Sequence, residues 1–193
     1  MSIELQNSQQ RQKKAYDLST FRILIVEDFP FISELMSSSL KEMGVNQIFK
    51  AENGLVAKDR ILNYNAVSSS SNIDVVILDW LMPEMNGQEL LHWIRSHKSD
   101  SIRFLPVIIC SAYTSREMVE KIRDLGANEA MVKPVAADKL ASRILYVIDK
   151  PRPFIKTDSY FGPDRRRREQ KFIGEDRRKI TAEEIQTHVE ELE

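Results

Sequence analysis

The sequence predicts an α/β fold, a doubly wound five-stranded parallel sheet with a short C-terminal extension, and three observations lead there. Between residues 21 and 150, short apolar β-branched runs alternate five times with amphipathic segments. The inner runs, such as "VVIL" at 75–78 and "VIIC" at 107–110, carry no charge, as strands buried on both faces must. Each segment between them is long enough to form a crossover helix, and right-handed crossovers then place helices on both faces of one sheet.

In order along the chain, "RILIV" (22–26) is the first strand. "FPFISELMSSSLKEMG" is a helix on which Phe31, Leu35 and Leu40 lie near helical spacing, with Gly44 as its stop. "VNQIFKA" is a second strand, "NGLVAKDRILNYNAV" a helix, and "SSSSN" a loop. "IDVVILD" is the third strand, and "NGQELLHWIRSHK" is a helix with Leu90, Leu91 and Ile94 on one side. "LPVIICSA" is the fourth strand. "SREMVEKIRDLGA" is a helix capped by Ser115 and closed by Gly126. "NEAMVKP" is the fifth strand and "AADKLASRILYVIDK" the last helix of this series. The expected organisation is a flexible N-terminal arm at 1–20, one domain at 21–150, and an extension at 151–193.

Bulk composition narrows the function classes. The 193 residues are 42% hydrophobic and 30% charged with a net charge of −1, so any attraction to nucleic acid or membrane must be local. No window approaches the ~18 apolar residues of a membrane span, and the N-terminus has no continuous apolar core of a secretory signal. The single cysteine, Cys110, has no partner for an internal disulfide. Together these features point to the cytoplasm.

The strand tips carry the chemistry. In a doubly wound sheet the carboxyl ends of the strands share one edge, where ligands bind. The first strand runs into Glu27-Asp28, the third ends in Asp79, the fourth in Ser111, and the fifth in Lys133 followed by Pro134. Three neighbouring carboxylates repel one another unless a cation sits among them, and an all-oxygen set with no Cys/His cluster suits Mg2+. One carboxylate can then serve as nucleophile toward a phosphoryl group, while Lys133 and Ser111 hold the phosphoryl oxygens.

With Glu27-Asp28, "DWLMPEMNG", "PVIICSA" and "VKP" recurring in order at the strand ends, residues 22 to 149 resemble the receiver domains of two-component response regulators. The resemblance implies a flavodoxin-like receiver fold. It makes Asp79 the phosphoacceptor and gives Mg2+ to Glu27, Asp28, Asp79 and the backbone carbonyl of Leu81. It makes Ser111 the switching hydroxyl, Lys133 the paired ammonium, and the Lys133–Pro134 peptide cis. The implied donor is a sensor histidine kinase or a phosphotransfer protein, and the implied output is a switched contact with a downstream protein. Homodimerisation is left open. The chain would not be an enzyme beyond promoting its own phosphorylation and dephosphorylation.

Taken singly, each residue has an ordinary reading. Asp28 suits a helix cap, Asp79 a turn acid, Lys133 a solvated surface lysine, and Ser111 a backbone partner. Their coincidence at four strand ends favours a site. Cys110, inside an apolar strand, reads as a small buried hydrophobe, and His92 and His97 as surface or partly packed residues. Many receivers carry Tyr or Phe three residues before the lysine, whereas this chain has Ala130. Tyr113 is the candidate replacement. Leu81 and Tyr113, bulky and without an acid or amide to orient water, predict a long-lived aspartyl phosphate. Trp80, beside the phosphoacceptor, reads as packing and as an optical reporter.

The extension is the least determined part. Residues 150–180 hold eleven Lys/Arg against five Asp/Glu, and 181–193 hold five Glu with no Lys or Arg. Gly162-Pro163-Asp164-Arg165-Arg166 is echoed by Gly174-Glu175-Asp176-Arg177-Arg178. Thr181 and Glu184 form a capping-box pattern that predicts a terminal acidic helix over the last residues, with Ile185, Val189 and Leu192 as its apolar stripe. The mixed Asp-Arg pattern and the acidic end favour a protein-interaction arm. The alternatives are nucleic-acid binding through Arg165–Arg168 with Tyr160, Phe161 and Phe172, a solvated charge run, or a degenerate receiver serving as a binding scaffold.

Overall fold

The structure, a computed structural model, describes residues 17–65, 71–112 and 115–166 and the backbone of 186–188. The five expected strands form: β1 (Arg22–Val26), β2 (Gln47–Ala51), β3 (Val75–Asp79), β4 (Val107–Ser111) and β5 (Glu129–Val132). Their order is β2-β1-β3-β4-β5, every pair parallel. The chain winds outward through β2, then returns through β3, β4 and β5 on the other side of β1. The order therefore reverses between β1 and β3, which makes the crevice at their carboxyl ends the ligand position of this topology.

The helices are α1 (Pro30–Glu42), α2 (Gly54–Asn65), α3 (Gly87–Ser96), α4 (Asp100–Arg103), α5 (Arg116–Asp124) and α6 (Ala137–Asp149). Successive strand residues point to opposite faces. Leu24, Val76, Leu78 and Ile109 pack with Ala57, Ile61, Leu90, Leu91, Ile94 and Ile122 on one face. Ile23, Ile25, Ile77 and Ile108 pack with Met36, Leu40, Leu140 and Ile144 on the other. Each fully buried Leu or Ile contributes about 1.5–3 kcal/mol, so this two-sided core holds the strand tips rigidly in register. Leu18, just ahead of β1, is buried in the second face.

Four features differ from the sequence expectation. Phe31 and Leu35 face outward, at 75% and 50% exposure, and α1 instead buries Ser33, Met36, Ser37 and Leu40. That i, i+3, i+4, i+7 set is the true inner stripe, and its two serines let the helix lie close to the sheet. The four-residue α4 interrupts what reads as a plain connection into β4. The extension forms an antiparallel hairpin, β6 (Phe154–Lys156) and β7 (Phe161–Pro163). The helix expected at the C-terminus lies mostly outside the described residues. Within its span, Gln186–His188 form β8, antiparallel to β6. A short isolated helix is marginal in water, and pairing with an open strand edge satisfies the same backbone groups.

Candidate functional site

The site is assembled at the carboxyl edge by β1, β3, β4 and β5. Glu27 follows β1 and continues its ladder, its N–H donating to Ala51 O at 2.9 Å. Val26 pairs with Leu78, so the residues just past β1 lie beside Asp79. Asp79 pairs in turn with Cys110, one residue before Ser111. Lys133 stands one residue past β5, and its N–H donates to Ser111 O at 2.9 Å. Glu27, Asp79 and Ser111 are buried, and Asp28 and Lys133 are half-buried. The Lys133–Pro134 peptide is cis.

Their geometry is that of an ionic cluster. Lys133 Nζ lies 2.6 Å from Glu27 Oε2 and 2.9 Å from Asp79 Oδ2. The other oxygen of Asp79, Oδ1, accepts from Trp80 N–H at 2.7 Å. Carboxylate oxygens of Glu27, Asp28 and Asp79 all lie within 4.8 Å of one another. Burial pushes the Glu27 carboxyl above its ordinary range against the pull of Lys133, and the charge of Asp79 pushes it further. Burial also works against the Lys133 ammonium, but its bonds to Glu27 and Asp79 and their charges outweigh it, leaving its pKa raised. Three acids against one ammonium leave an excess of negative charge in a partly desolvated crevice. That is the donor set a small hard cation fits, and it offers nothing for a soft one.

The loop from Trp80 to Asn86 hangs on both its neighbours. Gly87 N–H donates to Trp80 O at 3.1 Å, and a Cβ on Gly87 would stand 2.2 Å from Asp79 O. Only glycine lets α3 begin this close to the phosphoacceptor candidate. Across the loop, Gly54 N–H donates to Met85 O at 3.0 Å, and Asn53 Nδ2 donates to Glu84 Oε2 at 3.1 Å. Glu84 sits at φ 63°, a region costly to a residue with a Cβ, so the backbone there is strained and the two tethers oppose its relaxation. Asn53 also caps α2, its Oδ1 accepting from Val56 N–H at 2.9 Å. An asparagine can accept and donate at once, whereas an aspartate would repel Glu84.

All five side chains expected at the edge are thus brought together there. Leu81 lies on the tethered loop with its side chain 55% exposed. Tyr113 lies outside the described residues. Ala130 faces the cleft between β5 and α5. His97 Nδ1 accepts from Ser99 N–H at 3.0 Å, and His92 is exposed. Cys110 is fully buried, and burial pushes its thiol up to about 12. Asn53 and Gly54 escape the sequence reading, because an "ENG" step before a helix looks like any cap.

The family comparison decides what this edge belongs to: the response regulator receiver domain matches residues 23–145. The chain belongs to that family. Receiver domains are signalling modules of two-component systems rather than conventional enzymes. Chemotaxis protein CheY-3 of Vibrio cholerae is 30% identical over 129 residues, covering 67% of this chain and 92% of that one. CheY of Pseudomonas aeruginosa is 28% identical over 129 residues, covering 67% and 97%. Among solved structures, a chain of the CheX–CheY–BeF3–Mg complex of Borrelia burgdorferi is 30% identical with a TM-score of 0.59, covering 66% of this chain and 89% of that one. A signal receiver domain of a histidine kinase from Syntrophus aciditrophicus is 29% identical with a TM-score of 0.57, covering 68% and 92%. Among the described residues, no helix of this receiver is long and apolar enough to cross a membrane.

Proposed function

We propose that this receiver takes a phosphoryl group onto Asp79 from the phosphohistidine of a sensor kinase or phosphotransfer protein in the cytoplasm, and thereby switches its contact with a downstream protein. The single observation that carries this reading is the convergence of the Lys133 ammonium on Asp79 and Glu27, with Asp28 beside them. Glu27, Asp28, Asp79 and the Leu81 carbonyl would hold Mg2+. When bound, the ion supplies charge neutralisation for the carboxylates and the incoming phosphoryl oxygens.

This chain's own groups account for the remaining chemistry. The Asp79 carboxylate, oriented by Trp80 N–H on one oxygen and Lys133 on the other, would be the nucleophile toward phosphorus. A P–O bond forms to Asp79 and the donor's P–N bond breaks. The imidazole nitrogen leaves with the electron pair and takes up a proton. Lys133, 2.9 Å from Asp79, would pair with a phosphoryl oxygen, and the Ser111 hydroxyl, at the neighbouring strand tip, would donate a hydrogen bond to one. Incubation with Mg2+ and a small acyl phosphate should raise the intact mass by one phosphoryl group and change Trp80 fluorescence. Asp79→Asn should abolish both while leaving circular dichroism unchanged. Uptake on a residue other than Asp79, or none at all, would leave the chain as a binding scaffold.

A further inference from the structure

The extension is not a loose tail where it is described. Phe154 is buried, and its ring meets Phe104 at 4.9 Å and Phe161 at 5.5 Å between centroids. Arg152 donates to the carbonyls of Ala127 and Asn128, at the entry to β5, and to Asp164 O. Gly126, at φ +93°, and Gly162 cross so closely that a Cβ on Gly162 would stand 2.8 Å from Gly126 Cα. Arg165 stacks on Tyr160 at 4.7 Å and pairs with Asp124 at 3.3 Å. The contacts to Asp124, Gly126, Ala127 and Asn128 all fall on the C-terminal end of α5 or on the turn that leaves it.

α5 also touches the phosphoacceptor side of the molecule. Its cap, Ser115, comes four residues after Ser111 at the end of β4, and Lys121, in its last turn, reaches to 6.0 Å from the ring of Trp80, the residue after Asp79. At nine residues, α5 is about 13 Å long. It is also held lightly, because Ile122 is its single fully buried residue and Met118 packs only partly against the core. Along its flank runs a cleft of about 380 Å3, lined among others by Val119, Ile122, Arg123, Ala127 and Ala130. The small Ala130 leaves room where an aromatic ring would take up space. A helix with so few buried contacts and open space beside it moves at little cost.

We propose that the hairpin of residues 152–165 is the read-out element of this receiver, coupled to Asp79 through α5. Phosphoryl uptake draws on the groups around Asp79, and Trp80 beside it lies under Lys121 of α5. The helix shifts along the cleft, and the contacts that dock the hairpin on Asp124, Gly126 and Asn128 loosen. Coupling of this kind is reciprocal for binding, so weakening the hairpin must favour occupancy at Asp79 by the same factor.

The inference rests on phosphoryl uptake at Asp79, and its test separates the two. The full chain is treated with Mg2+ and a small acyl phosphate, its phosphorylated fraction is read by intact mass, and hydrogen exchange is followed at the amides of Thr157 and Asp164. These amides close the hairpin at its two ends, bonding Tyr160 O and Pro153 O at 2.8 Å each. Exchange should accelerate about fivefold or more, the low end of typical site-to-site coupling. Phe161→Ala should bind beryllofluoride with Mg2+ more tightly by the same factor. Arg165→Ala, which removes an exposed ion pair and leaves the fold untouched, should shift affinity the same way by less. A fully phosphorylated chain with unchanged exchange at both amides, or unchanged beryllofluoride affinity in both variants, overturns the coupling. Absence of any mass shift overturns the phosphoacceptor reading itself and the coupling with it.

Discussion

The two ends of the sheet each bury a cation, and they treat it oppositely. At the carboxyl edge, Lys133 is held by the carboxylates of Glu27 and Asp79. At the amino edge, Arg95 of α3 is almost fully buried with no carboxylate among the described residues at ion-pair distance. Its guanidinium donates instead to the carbonyls of Gly126, Arg103 and Leu105 at 2.8 Å each, and to Asn128 Oδ1 at 2.9 Å. Burial pulls its pKa down, and these four acceptors, with the Phe154 ring 5.1 Å away, are what keep it in place. Ion pairs between point charges are tolerant of rearrangement, and a planar fork of donors aimed at carbonyls is not. The first arrangement suits a site whose partners exchange, and the second a joint that must stay shut. At that joint Arg95 ties α3 to the entries of β4 and β5, and the hairpin covers it.

The contrast yields a ranked set of expectations. Arg95→Met takes this donor from the carbonyls of Gly126, Arg103 and Leu105, while Asn128 Oδ1 keeps Val107 N–H, so urea unfolding should show a loss of about 3–5 kcal/mol. Because Arg95 also holds Gly126 and Asn128 and lies 5.1 Å from the Phe154 ring, the same change should loosen the hairpin and tighten binding of beryllofluoride with Mg2+ at Asp79, read by Trp80 fluorescence in the folded fraction. An unchanged affinity would count against the coupling of the two ends. Gly87→Ala does the converse. Its methyl meets the Asp79 carbonyl, so overpacking should cost about 1–3 kcal/mol and weaken Mg2+ binding as well. An unaltered affinity would show that Asp79 is less dependent on the start of α3 than the close approach implies.

The smallest effect concerns pH. The folded pKa of Lys133 is raised above its ordinary 10.5. Its ion-pair contribution is therefore complete below that value and is lost as pH rises through the folded one. Wild-type stability should fall more steeply above about pH 10.5 than that of Lys133→Met, compared by denaturant titration at each pH. Parallel curves would mean that the pair contributes nothing to the fold and serves chemistry alone.

The carboxyl edge was legible in the sequence, and the amino edge was not, for a physical reason. A strand tip displays its last side chain in line with the strand, so "VVILD" announces a buried strand ending in an acid. Glu27, Ser111 and Lys133 announce themselves the same way. Arg95 follows Ile94 on a helix and looks like any solvated arginine. Its acceptors come from residues 103, 105, 126 and 128, which only the fold assembles. The hairpin left a fainter trace, with Asp158-Ser159 standing as a turn between Phe154-Ile155-Lys156 and Tyr160-Phe161. On α1, hydrophobicity alone misled, because the close-packed face uses Ser33 and Ser37 while Phe31 and Leu35 look outward.

The burial of Cys110 carries a practical consequence. With its thiol pushed up to about 12 inside β4, the natural cysteine holds almost no thiolate at neutral pH and is out of reach of alkylating reagents. A second cysteine placed on the hairpin or on α5 can therefore take a maleimide dye or spin label selectively in the otherwise unaltered chain, and distances between the two elements become measurable without first engineering the native sulfur away.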